Sequence, residues 1–210
     1  VDQACEAAKK AFTEWSVTSL DQRIAALKKL QAQLETSKEK IAEVISRETG
    51  KPTWESLTEV AAMVNKIPIT IEQGLSFIKE MEIENALPGV KGRVRHKPRG
   101  VMAVLGPFNF PGHLPNGHVV PALLTGNTVV FKPSEFTPGV AQIYAECIHK
   151  AGFPAGVFNL VQGLGETGRR LVEHQYVDGI LFTGSYETGL KIKQGTMDHY
   201  WKLLALEMGG

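Results

Sequence analysis

Asn109 lies between Phe108 and Phe110 and before Pro111. Its neutral amide can donate a hydrogen bond to a developing oxyanion without itself titrating. An asparagine in such a place equally suits a plain turn. Near the other end, Glu207 precedes Met208-Gly209-Gly210; a carboxylate there is a general base if burial raises its pKa, or the cap of a following helix. Between these two lie glycine turns. Gly163-Leu164-Gly165-Glu166-Thr167-Gly168 follows one apolar run and opens a helical one, the context in which free backbone amides meet a pyrophosphate. Alone it also describes a turn that only lets strand and helix pack closely. Phe182-Thr183-Gly184-Ser185, continued by Tyr186, Glu187, Thr188 and Gly189, repeats the geometry after the next run, with Ser185 placed to cap the helix. Two such turns in succession favour a nucleotide. No Gly-Lys-Ser/Thr follows the glycines, which disfavours a P-loop hydrolase.

Phe131-Lys132-Pro133-Ser134-Glu135 closes another apolar run. A lone Lys–Glu pair is usually a solvated one, but an acid beyond the second strand of a wound sheet accepts ribose hydroxyls and repels a 2′-phosphate, so NAD is preferred over NADP. Cys147 shares a helical stripe with Val140, Ile143, Tyr144 and Ile148 and reads as packing rather than a nucleophile. Cys5 reads as an ordinary helix residue near a frayed end.

These side chains need elements to hold them. Helical spacing of apolar residues predicts helices from Ala4 to Trp15, from Ser19 to about Ser46, and from Thr53 to about Met81, with Pro68 expected to kink or interrupt the third. Lys91 to Lys97 alternates like an exposed strand or arm. After Pro98-Arg99-Gly100 the pattern changes to short apolar runs, Val101–Leu105, Thr128–Phe131, Val157–Val161, Gly179–Phe182 and Leu203–Leu206, separated by helical stretches. Strands apolar on both faces belong to a parallel sheet covered by helices on both sides. The fold class is therefore α/β: a doubly wound, mostly parallel five-stranded Rossmann-like sheet preceded by a helical segment. The expected division is residues 1–86, N-terminal helices; 87–98, an extended arm or linker; and 99–210, the nucleotide-binding region. In such sheets ligands sit beyond the carboxyl ends of the strands, where every motif named above falls.

Composition narrows the partners. With 23 basic against 22 acidic residues, mostly interleaved, the net charge is +1 and no basic stripe awaits a polyanion, so nucleic acid is not expected. No apolar stretch approaches the roughly 18 to 20 residues of a membrane span. Two cysteines suit a reducing compartment, and the cytoplasm is expected. The absent initiator methionine and the Gly-Gly ending lead us to expect a piece of a longer protein.

Taken together, Asn109-Phe110-Pro111, Lys132-Pro133-Ser134-Glu135, Phe182-Thr183-Gly184-Ser185 with Gly189, and Glu207-Met208-Gly209-Gly210 resemble the aldehyde dehydrogenase superfamily. The resemblance runs through the whole chain, and Glu48-Thr49-Gly50-Lys51-Pro52 is similar to a family helix ending. It implies a cofactor domain truncated before the catalytic domain, with the nucleophilic cysteine beyond Glu207 and outside this chain. It implies that Asn109 and Glu207 are catalytic, holding the oxyanion and activating the water that releases a thioester. It further implies that Leu105, Pro107, Phe108, Lys132, Ser134, Glu135, Gly165, Gly168, Phe182, Gly184, Ser185, Tyr186, Glu187, Thr188 and Gly189 bind NAD. No metal is implied. The partners implied are a small-molecule aldehyde and further copies of the full-length chain, as a dimer or tetramer; the 210-residue piece alone is expected to be inactive.

Most members carry bulky residues after Asn-Phe-Pro, whereas here Gly112-His113-Leu114-Pro115-Asn116-Gly117-His118 follows. That stretch is similar to members that oxidise N-succinyl-L-glutamate 5-semialdehyde in arginine catabolism. Gly112 and Gly117 remove bulk, while His113, Asn116 and His118 offer donors to a long aldehyde bearing two carboxylates. For either histidine taken singly, a satisfied structural residue is the safer reading. Two other readings stay open: a phosphorylating or acyl-transferring relative, which needs no water-activating carboxylate, and a non-catalytic dinucleotide-binding protein of the same fold.

Overall fold

The computed structural model describes residues 1–209. Four helices open the chain: α1 (Asp2–Trp15), α2 (Leu20–Thr36), α3 (Lys38–Thr49) and α4 (Thr53–Glu72). α2 begins on a reciprocal cap, in which Ser19 Oγ accepts from Gln22 N at 3.2 Å and Ser19 N donates to Gln22 Oε1 at 3.1 Å. The single helix expected from Ser19 to about Ser46 is two helices, because Ser37 leaves helical geometry at φ −97°, ψ 9°. Gly50 ends α3 at φ 76°, a left-handed conformation open to glycine at little cost.

Of the two effects expected of Pro68, a kink or an interruption, the interruption does not occur, and α4 runs through it. A proline inside a helix costs about 3 kcal/mol. Val60, Met63, Val64 and Ile67 are buried on the same helix, each contributing about 1.5–3 kcal/mol, so packing outweighs the penalty. α4 stops at Glu72 rather than near Met81, and a 3-10 turn over Gly74–Ile78 leads into β1 (Met81–Leu87) and β2 (Val90–Val94). These strands form an antiparallel hairpin, so strand begins inside the stretch expected to belong with the N-terminal helices. Cross-strand ion pairs run along it, Glu82 with Arg93 at 2.5 Å and Glu84 with Lys91 at 2.8 Å.

The remaining strands are β3 (Val101–Leu105), β4 (Thr128–Lys132), β5 (Phe158–Leu160), β6 (Val177–Thr183) and β7 (Leu203–Glu207). They lie parallel in the order β5-β4-β3-β6-β7. The crossovers are α5 (His113–Leu124), α6 (Pro138–Lys150), α7 (Gly165–Glu173) and α8 (Tyr186–Gly195). This is the doubly wound α/β sheet preceded by a helical segment. Its chain progresses outward through β4 and β5, then restarts on the other side of β3 with β6, which opens a crevice at the carboxyl ends of β3 and β6.

Alternation along β3 separates two cores. Met102 and Val104 join α2 to α6 on one face, while Val101, Ala103 and Leu105 join α1, α7 and α8 on the other. α1 crosses to that second face, where Thr128 Oγ1 donates to Ala8 O at 3.0 Å. Cys5 is fully buried there, not near a frayed end, and burial pushes its thiol up to about 11. Among the described residues, no helix is long and apolar enough to cross a membrane.

Candidate functional site

Loops leaving β3, β4, β6 and β7 border one groove of about 1020 Å³. Asn109, Glu135, Ser185 and Glu207 all line it, so the four motifs meet on one rim. So do Leu105, Pro107, Phe108, Lys132, Ser134, Gly165, Gly168, Phe182, Gly184 and Thr188.

The Asn109 loop runs from the end of β3 to the start of α5. At its near end Gly106 N donates to Lys132 O at 3.1 Å. Asn109 Oδ1 accepts from Phe110 N at 3.1 Å. With its oxygen held on its own backbone, the exposed side chain has its NH₂ group as the free donor, the polarity an oxyanion requires. At the far end Glu59 of α4, almost fully buried, accepts from Gly112 N at 2.9 Å and His113 N at 3.1 Å. Those are orphan amides at a helix start, where a carboxylate is favoured by about 0.3–1 kcal/mol or more. Lys51 Nζ lies 2.9 Å from Glu59 Oε2 and 3.5 Å from the centre of the Phe110 ring.

Lys132 ends β4 with its side chain buried and its ammonium donating to Pro133 O at 2.7 Å. Burial lowers its pKa and Glu135 opposes that, although the Lys132–Glu135 pair is loose at 3.9 Å and Glu135 is exposed. Gly168 on α7 brings that helix close to Lys132, since a Cβ at 168 would lie 3.6 Å from Lys132 Cδ. A Cβ at Gly165 would meet no atom within 4 Å, which leaves the start of α7 open to the groove.

Ser185 caps α8, its Oγ accepting from Thr188 N at 3.3 Å. The next amides, of Tyr186 and Glu187, start the helix before its internal bonding begins. The Tyr186 and Glu187 side chains are exposed and do not line the groove. Gly189 is buried beneath it, and a Cβ there would collide with Met208 Sδ, so its bareness serves packing of α8 on the end of β7. Gly184 N donates to Glu207 O at 3.0 Å, tying the ends of β6 and β7 together. Glu207 itself is exposed on the groove, so the burial on which its general-base role was to depend is not found, and that role rests on its position and its access to water.

The substrate expectation needs correction at Asn116. It is fully buried, its Nδ2 donating to Met63 O at 3.0 Å and its Oδ1 accepting from Tyr144 Oη at 2.9 Å. With both ends of the amide spent on the core between α4 and α6, nothing remains for a ligand. His113 and His118 are half-buried and lie outside the groove lining. His113 Nδ1 is buried without a partner. His118 Nε2 is 3.1 Å from Thr183 Oγ1 at the end of β6. Burial lowers the His118 pKa, Glu207 acts to raise it and Lys66 to lower it further.

An imidazole whose folded pKa lies below the unfolded value of about 6.5 disfavours folding once it is protonated. Stability is therefore full above about pH 6.5 and falls as pH drops through that value towards the folded pKa. His174, also lowered by burial, acts in the same direction. Thermal melts at about pH 7.5 and about pH 5 test this. The acid-induced fall in Tm is smaller in His118→Gln than in the parent; equal falls would show that His118 titrates normally.

Neither cysteine reaches the groove. Cys147 is buried on α6 beside Tyr144 and Ile148, with its pKa raised by burial. Sequence reasoning missed Arg169, Phe136, Lys191 and Met208, which also line the groove. Arg169 has a signal in hindsight: one turn into α7, it bonds Glu166 at 2.7 Å and Glu173 at 2.5 Å. Phe136 stacks edge-on to Phe108, ring centres 6.2 Å apart, across the groove mouth. Glu59 and Lys51 carried no signal, because their targets lie on other elements.

Comparison with known proteins matches the fold of the chain. An aldehyde dehydrogenase from Bartonella henselae is 34% identical with a TM-score of 0.91, over 100% of this chain and 44% of that one. A lactaldehyde dehydrogenase is 35% identical with a TM-score of 0.93, over 99% and 43%. An E. coli enzyme described as NADP-dependent is 32% identical with a TM-score of 0.93, again over 99% and 43%. The chain thus spans less than half the length of these structures. The model of the aldehyde dehydrogenase family matches residues 1–210, and with that match and these neighbours the chain belongs to the aldehyde dehydrogenase family.

Proposed function

We propose that this chain is the cofactor-binding part of an NAD-dependent aldehyde dehydrogenase acting on N-succinyl-L-glutamate 5-semialdehyde. The observation that carries the dehydrogenase reading is the convergence of Asn109, Lys132, Glu135, the start of α8 and Glu207 on one groove. A dinucleotide fits the residues present. The starts of α7 and α8 would hold the pyrophosphate, and Lys132 with Glu135 would hold the adenosine ribose. When bound, NAD supplies the hydride acceptor. The Asn109 amide holds the substrate oxygen as it gains charge, and Glu207 takes a proton from the water that releases the acid. The attacking thiolate comes from outside these residues, since both cysteines here are buried away from the groove. The 210-residue piece alone is accordingly inactive.

The E. coli neighbour of the same fold is described as NADP-dependent, so the preference for NAD is argued from Glu135 and not from the fold. Glu135 favours NAD, since its exposed carboxylate meets a 2′-phosphate with like charge. With Asn116 excluded, the substrate assignment rests on His118, outside the groove lining but 3.1 Å from Thr183 Oγ1 on it, and on Gly117, where a Cβ would meet no atom within 4 Å. The division into residues 1–86, 87–98 and 99–210 is kept as a proposal about function, although the hairpin of β1 and β2 straddles its first boundary. That hairpin presents Met81, Ile83, Leu87, Val90 and Val94 to solvent, a surface suited to contact between copies. Two free buried cysteines suit a reducing cytoplasm.

Steady-state turnover of the full-length enzyme tests the whole reading, with succinylglutamate semialdehyde, succinate semialdehyde and a simple aliphatic aldehyde, each with NAD and with NADP. The dicarboxylate with NAD is expected to give the highest kcat/KM. Preference for the aliphatic compound would remove the substrate assignment, and preference for NADP the role given to Glu135.

A further inference from the structure

The segment joining α3 to α4 carries a device that none of the groove motifs contains. Glu48, at the end of α3, accepts from Gly139 N at 2.8 Å on Oε1 and from Val140 N at 3.0 Å on Oε2. Those are the first amides of α6. Glu59, on α4, accepts from the first amides of α5, as described above. Each carboxylate approaches its helix through a missing side chain. A Cβ at Gly139 would lie 2.8 Å from Glu48 Oε1, and one at Gly112 would lie 3.4 Å from Glu59 Oε1 and 2.6 Å from Met63 Sδ. Lys51, between the two acids in sequence, completes the Glu59 arm by binding Oε2 and lying over Phe110.

The two capped helices begin where the two working loops end. Residues 106–112 carry Asn109 between β3 and α5, and residues 133–137 carry Glu135 between β4 and α6. Each loop is anchored at one end by the sheet and at the other by a carboxylate from this one segment. The second loop is also tight within itself, with Thr137 N donating to Ser134 O at 3.1 Å. Little freedom remains once both ends are held.

We propose that Glu48 and Glu59 are positioning residues with separate duties: Glu59, with Lys51, sets the Asn109 amide for the oxyanion, and Glu48 sets the Lys132–Glu135 loop for the nucleotide ribose. This rests on the reading of Asn109 and Glu135 given above. A scaffold that only holds the fold together would affect both steps alike. Two positioning arms divide them.

The test uses the full-length enzyme with Glu48→Gln, Glu59→Gln, Glu59→Ala, Asn109→Ala and the Glu59→Gln/Asn109→Ala double variant. Glu→Gln keeps the side-chain shape while removing the charge, which protects folding. Glu59→Gln is expected to lower kcat by about 10-fold to 100-fold, the scale of a small misplacement of a catalytic group, with the Kd for NAD unchanged. Glu48→Gln is expected to weaken NAD binding by about tenfold, with kcat at saturating NAD unchanged. In the Asn109→Ala background, Glu59→Gln is expected to cost nothing further, because the group it positions is gone. Independently of activity, hydrogen exchange at the Gly112 and His113 amides is expected to speed up in Glu59→Ala, and at Gly139 and Val140 in Glu48→Gln.

Three outcomes overturn the proposal: equal effects of both acids on kcat and on NAD binding, an undiminished Glu59→Gln effect in the Asn109→Ala background, or unchanged exchange at the four amides. If Asn109→Ala itself keeps parental turnover, the oxyanion reading fails and the Glu59 arm falls with it. The Glu48 arm is then decided by NAD binding alone.

Discussion

Glu207→Gln in the full-length enzyme leaves the first round of cofactor reduction near the parental rate and slows every later round by about 10²–10⁴, the usual scale of a lost general base. The substitution keeps size and shape. The backbone at Glu207 is held independently of its side chain, by Gly184 N donating to Glu207 O at 3.0 Å and by the pairing of β6 with β7. Only the proton acceptor is removed. Exposure of the carboxylate on the groove gives it access to water, which suits a group that acts on water after the first product has formed. Rapid mixing at high enzyme concentration separates the two phases. A parental steady state would place the base elsewhere. Loss of the first round as well would mean that Glu207 acts before or during attack on the aldehyde. Restoration of turnover by an added thiol or phosphate acceptor, in the parent as well as the variant, would favour the acyl-transferring reading.

Asn109→Ala lowers kcat by about 10²–10³, the loss found when one oxyanion donor is removed. NAD affinity and Tm stay near parental values. The reason is geometric. Asn109 is exposed, and its one side-chain bond is to the adjacent Phe110 N at 3.1 Å, so its removal opens no cavity and strands no buried group. The loop remains anchored by Gly106 at one end and by Glu59 at the other. If Asn109 were only a turn former, the pattern would invert, with a lower Tm and nearly unchanged kcat. Measuring kcat, the Kd for NAD and Tm on one preparation decides between them.

The five strands were legible because each is a short apolar run closed by glycine, proline or a polar group, and a sheet covered on both faces demands that pattern. Val101–Leu105 appears with the same limits in sequence and structure, and the other four differ by one or two residues at one or both ends. The helical third was less legible. Apolar spacing continues across Ser37, but spacing does not report the one residue at which the backbone leaves the helix. The interruption allowed for at Pro68 did not occur, because its local cost is set against burial contributed by other elements. At the site, the loop motifs were legible since their chemistry is carried by adjacent residues. Asn116 was not. Its donor and acceptor face Met63 and Tyr144, residues remote in sequence that only folding brings to it.

What the chain determines by itself is local: which runs become strands, which turns need glycine, and which loops carry an amide, an acid or free helix-start amides. Those depend on residues a few positions apart, whose periodicity and backbone preferences act before any long-range contact forms. The tertiary structure decided the rest. It turned Asn116 inward, buried Cys5 on the far face of the sheet, left Glu207 exposed, and brought Glu48 and Glu59 against backbone amides 91 and 53 residues further on. The placing of Asn116, Glu48 and Glu59 follows from the packing of α2 to α4 against α5 and α6, and that of Cys5 from the packing of α1 on the opposite face; no short window of sequence contains both partners.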